Sequence, residues 1–85
     1  MKELKVFNED GLINAKLKIG DRVSFEYEYD LINGPTEHIE GKGIITKVRY
    51  DTKYNDRECD EYVVKLDNNC REEEIYGRDI TEAFR

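Results

Sequence analysis

His38 is the only histidine, and Glu37 and Glu40 stand beside it in sequence. An imidazole next to a carboxylate is the pairing that general-base chemistry uses. No serine or cysteine lies near it in sequence to act as a nucleophile, so an exposed loop histidine is the plainer reading. Carboxylates recur two apart at Glu26/Glu28, Asp56/Glu58 and Glu72/Glu74. On a strand this spacing puts both members on one face. A solvated face has that pattern as readily as an acid/base pair does. The stretch 51–58 (DTKYNDRE) holds the oxygen ligands of a calcium loop, but it places Lys53 and Arg57 among them and lacks the internal glycine. Gly41-x-Gly43 precedes a strand rather than a helix, which is the wrong context for a phosphate-cradling loop. The expectation is therefore no catalytic residue, no metal ligand and no cofactor, hence a non-enzymatic protein.

Cys59 and Cys70 are the only cysteines, eleven apart. Two cysteines do not make a secreted disulfide framework, and without a CxxC pair they do not suggest zinc within one chain. Two free thiols in a reducing cytoplasm is the simpler reading. A bridge stays open if the strands flanking the 67–70 turn bring the two together. The N-terminal residues carry Glu3, Glu9 and Asp10 and no long apolar stretch, unlike a signal peptide. A cytoplasmic protein is expected, with no membrane partner.

Six tyrosines in 85 residues are many. Tyrosine offers broad contact area with a polar tip and is enriched in binding surfaces. Tyr29, Tyr50, Tyr54 and Tyr76 are the candidate protein-binding residues. Tyr27, Tyr50 and Tyr62 can equally cap the core with their hydroxyls in water. Tyr50 and Tyr54 flank a loop with Arg49, Lys53 and Arg57, a composition that also suits single-stranded nucleic acid. Charge opposes that use. The net charge is −6, and residues 21–40 carry six acids against one base. Residues 41–50 hold Lys42, Lys47 and Arg49 without an acid, and residues 51–61 return to −3. Phosphate binding needs clustered Lys and Arg, so nucleic acid is disfavoured. A small-molecule ligand has no motif to support it.

These residues must be positioned by strands. Gly20-Asp21 is a turn. From Arg22 to about Asp30, Val23, Phe25, Tyr27 and Tyr29 alternate with Arg22, Ser24, Glu26 and Glu28, as in a strand with one buried face. Asn33-Gly34-Pro35 breaks the pattern inside a long loop. Residues 39–50 read as the second strand, with Gly41 and Gly43 on one face allowing close approach or curvature. Ile44, Thr46, Val48 and Tyr50 are its expected core face. Residues 51–60 read as an exposed loop and 61–66 as the third strand. A tight turn follows at 67–70, where asparagine tolerates left-handed geometry. Residues 71–76 form the return strand. Gly77-Arg78-Asp79 is a turn able to open a 3₁₀ turn, and residues 80–84 are the last strand. Residues 3–7 are a further strand candidate before the Asn8–Gly11 turn.

The order of these pieces resembles the small SH3-like barrels of bacterial and phage proteins. Lys18-Ile19-Gly20-Asp21-Arg22-Val23 is similar to the entry into their first strand. Gly41-Lys42-Gly43-Ile44-Ile45 resembles the second strand, Tyr62 to Asn68 the third strand and its turn, and Ile75 to Ile80 the turn before the last strand. The resemblance implies an all-β fold, a small SH3-like barrel of about five antiparallel strands. It implies one domain over 1–85, with 1–17 as an N-terminal strand or extension, and a bacterial setting such as a prophage. It does not fix an activity. The absence of tryptophan sets the chain apart from proline-peptide binders of that fold. The functional expectation is a small acidic protein-binding module. The alternatives are an acidic DNA mimic that inhibits a host nucleic-acid enzyme, and a nucleic-acid-binding barrel using Lys42, Lys47, Arg49 and Lys53.

Overall fold

The computed structural model describes residues 16–85. The strand expected at 3–7 and the turn at 8–11 lie outside them. Five strands follow one another: β1 (Arg22–Asp30), β2 (Thr36–Arg49), β3 (Glu61–Leu66), β4 (Glu72–Tyr76) and β5 (Ile80–Phe84). They form one antiparallel sheet in the order β4-β3-β2-β1-β5. Short 3₁₀ turns stand at Arg57–Cys59 and at Gly77–Asp79, as the Gly-Arg-Asp triplet predicts.

The alternation in β1 carries through to burial. Val23 and Phe25 are buried, Tyr27 packs on the core edge, and Ser24, Glu26 and Glu28 face outward. Tyr62 and Val64 of β3, Ile75 of β4, and Ile80 and Ala83 of β5 complete the core with Leu17 and Ile45. Leu17 is reached through the Gly20-Asp21 turn. Gly20 has φ +97° and donates its N–H to the Ile45 carbonyl at 2.8 Å. Asp21 is 3% exposed and accepts the Lys18 N–H at 2.8 Å and two contacts from the Arg85 guanidinium. The first strand is thus tied at its entry to the last residue of the chain.

β2 corrects two expectations. It begins at Thr36, so residues expected in a loop are paired: Glu28 faces His38, Tyr29 faces Glu37 and Asp30 faces Thr36. Its core face is also the other one. Gly41 stands opposite Phe25 and Gly43 opposite Val23, which turns Ile45 inward to full burial and leaves Ile44 41% exposed. The ladder to β3 then skips Thr46, pairing Ile45 with Val64 and Lys47 with Val63. This bulge reverses the phase of the strand, so Val48 does pack against the core opposite Tyr62.

The expected SH3-like barrel is not formed. The edge strands β4 and β5 share no ladder, and the sheet remains open. β4 and β5 are five residues each and are separated by the Gly77–Asp79 turn. The Gly77 N–H is anchored on the Asp60 carbonyl at 2.8 Å. The chain there turns away from β4 and runs to the opposite edge, where Val23 pairs with Ala83 and Ser24 with Glu82. Bulges in β2, at Thr46, and in β5, at Thr81, bend the sheet over one core without joining its edges.

Candidate functional site

The four candidate protein-binding tyrosines fall into two settings. Tyr29 and Tyr76 line a surface cleft of about 480 Å³, together with Tyr27, Glu28, Glu74, Arg78 and Asp79. Tyr50 and Tyr54 belong to the loop between β2 and β3. Tyr50 donates its hydroxyl to the Leu17 carbonyl at 2.5 Å and carries the Lys16 ammonium 4.6 Å from its ring centre. It therefore holds the chain entering β1, beside being 37% exposed. Tyr54 is 69% exposed, with Lys53 5.1 Å from its ring centre.

The loop is ordered by carboxylates. Asp60 is buried; its carboxylate accepts the Asp51 N–H at 2.6 Å and the Tyr62 hydroxyl at 3.2 Å. Tyr62 is thus a buried core residue, not a cap with its hydroxyl in water. Asp51 in turn accepts the N–H groups of Lys53, Tyr54 and Asp56. Burial pushes the Asp51 carboxyl up, but those three donors and the Lys16 ammonium outweigh it and hold the carboxyl below its ordinary 3.8. The carboxylate that resembled a calcium ligand is occupied by its own backbone.

In the cleft, β1 supplies Tyr27 and Tyr29, and the end of β4 with the following turn supplies Glu74, Tyr76, Arg78 and Asp79. The Tyr27 phenol is pushed up by burial first, then by the negative charges of Glu73 and Asp79 and by Tyr29. The Arg78 guanidinium lies 4.9 Å from the centre of the Tyr76 ring. The ring therefore already presents a face to a cation, in an acidic surround. Compared with protein-family models, with curated proteins and with solved structures, the chain matches none. The site stands on its geometry alone.

From the sequence, Tyr27 belongs to the core edge alone. Its share in the cleft arises because the end of β4 and the Gly77–Asp79 turn line the same concavity as β1, which strand alternation does not reveal. The basic residues proposed for nucleic acid are interleaved with acids. Arg49 lies 3.7 Å from Glu61, and Lys47 lines a cleft with Arg49, Glu61 and Glu74. Cys59 and Cys70 are free and exposed. Burial, then Asp56 and Asp51, push the Cys59 thiol up against the opposing pull of Arg78. Among the described residues no helix is long and apolar enough to cross a membrane.

Proposed function

We propose that this domain is a non-catalytic interaction module whose cleft at Tyr27, Tyr29 and Tyr76 receives a basic segment of a partner protein. The observation that carries this reading is the meeting of three tyrosines with Glu28, Glu74 and Asp79 in one concave surface. Tyr29 and Tyr76 are 53% and 43% exposed, area that burial against a partner would remove from water. The carboxylates favour a Lys or Arg side chain, and Arg78 over Tyr76 is the internal precedent for that contact. An entering cation has ring faces for cation–π contact and carboxylates for charge-assisted hydrogen bonds.

The test is a calorimetric titration with unstructured peptides of equal length, one Lys/Arg-rich and one Glu-rich. The basic peptide is expected to bind, with affinity falling as salt rises. Tyr76→Ala should weaken it about tenfold or more, the loss of one well-packed aromatic contact. Equal binding of both peptides, or an unchanged affinity in Tyr76→Ala and Tyr29→Ala alike, would remove this cleft as the site.

A further inference from the structure

The outward face of the β1–β2 hairpin holds a second cluster, separate from the tyrosine cleft. The register puts Glu26 directly opposite Glu40, and Glu28 directly opposite His38. His38 and Glu40 are two apart on β2 and so share a face. One ligand atom from each of Glu26, His38 and Glu40 lies within 4.8 Å of the other two. We propose that these three residues bind a single divalent transition-metal ion of the zinc type.

The distances support it. His38 Nε2 is 3.5 Å from Glu26 Oε2 and 3.6 Å from Glu40 Oε2. These separations exceed those of good N–H···O hydrogen bonds. These two are close to the edge of a tetrahedron whose metal–ligand bonds are about 2.0–2.1 Å, which is about 3.3–3.4 Å; the third separation, Glu26 to Glu40, is within 4.8 Å. A small inward movement of exposed side chains completes the geometry, since the side chains of His38, Glu26 and Glu40 are 52%, 53% and 74% exposed.

The charge arrangement asks for a cation. Two carboxylates directly opposite on paired strands repel, and Glu28 adds a third on the same face. Lys42, opposite Ser24 and two residues beyond Glu40, and Arg22, whose guanidinium is 3.1 Å from Asp67, are the cations this face itself supplies. One imidazole nitrogen with two carboxylate oxygens suits zinc, and by the usual affinity order copper, nickel and cobalt. It suits calcium and magnesium poorly, because calcium wants six to eight oxygens and magnesium keeps its waters. Three protein ligands leave a fourth position. Glu26 and Glu40 also line a groove of about 420 Å³ that runs by Lys42 and Phe25 to Leu66, Asn68 and Thr81. A ligand completing the coordination has room beside the ion.

Chelator-treated protein is titrated with zinc chloride by calorimetry at neutral pH, and the His38 ring resonances are followed by NMR. One ion per chain is expected, with the His38 signals moving in step. His38→Ala should weaken binding at least about tenfold, and Glu26→Gln and Glu40→Gln should each weaken it. A Cys59→Ser/Cys70→Ser double variant should bind as the parent does. Circular dichroism confirms that each variant keeps its sheet. The proposal is overturned if no saturable binding occurs up to millimolar zinc, if binding survives His38→Ala, if it is lost with the cysteines, or if magnesium competes on equal terms. The two readings fail separately: the peptide titration is judged on Tyr29 and Tyr76, which are not among the three metal ligands, although Glu28 adjoins both sites.

Discussion

Two aspartates determine the course of the loop between β2 and β3. Asp60 is buried and receives the first N–H of the loop, while Asp51 receives the N–H groups of Lys53, Tyr54 and Asp56. A carboxylate with several N–H donors is favoured in its charged form. Because the Asp51 carboxyl is held below 3.8 when folded, it stabilises the fold at pH values above its unfolded value. That contribution disappears as pH falls through the folded value, since protonation removes the charge the donors face. Replacing Asp51 by Asn keeps an acceptor but removes the titration. The parent should lose more stability between neutral pH and about pH 3 than Asp51→Asn does, read as the shift in urea midpoint. Equal losses would place the acid sensitivity elsewhere. None of this hydrogen bonding is evident from the segment's composition. The stretch 51–60 looks like a polar loop, and only the fold shows that two of its acids point into the loop itself.

Among the elements, β2 shows how far alternation can be followed. The glycines at 41 and 43 correctly mark a place of close approach. The bulge at Thr46 is what hides the core face, because one extra residue makes Ile45 and Val48 both inward. A period-two count through the strand must be wrong on one side of it, and so Ile44 was assigned inward. The β3–β4 turn shows a similar limit. Asn68 and Asn69 are the natural left-handed residues, yet the positive φ, 58°, falls on Cys70. Its N–H bonds the Leu66 carbonyl at 3.1 Å. A Cβ on Gly43 would lie 2.1 Å from the Lys65 carbonyl oxygen and 2.8 Å from its carbon, both backbone of the paired strand. A Cβ on Gly41 would meet the tip of the Phe25 ring at 2.7 Å, a side chain able to turn. Gly43→Ala should therefore lose about 3 kcal/mol or fail to fold, and Gly41→Ala about 1–2 kcal/mol, in urea denaturation. Equal losses would mean that β2 and β3 do not approach at Gly43 as described.

At the scale of the whole molecule, the open sheet matters more than the count of strands. The order of turns and strands was legible because each turn carries its own residues. Closure was not legible, because it depends on whether the last strands meet, and that is set by accumulated bend rather than by any one residue. An open sheet has two edges, and exposed edges invite pairing with another chain. β4 is such an edge, and it carries Glu72, Glu73 and Glu74 in succession, with Glu72 and Glu74 exposed. Two copies brought edge to edge in the antiparallel register centred on Glu73 would align these carboxylates against one another, and like charges across a ladder repel. The Glu72/Glu74 pair that reads from the sequence as a solvated face thus opposes pairing at this edge. Glu72→Thr with Glu74→Thr removes two charges and raises strand preference at the same positions. Sedimentation should show the double variant associating as concentration rises, while the parent and a Glu58→Thr control in the β2–β3 loop do not. A double variant that sediments as the parent does would assign the protection of β4 to something other than its charge.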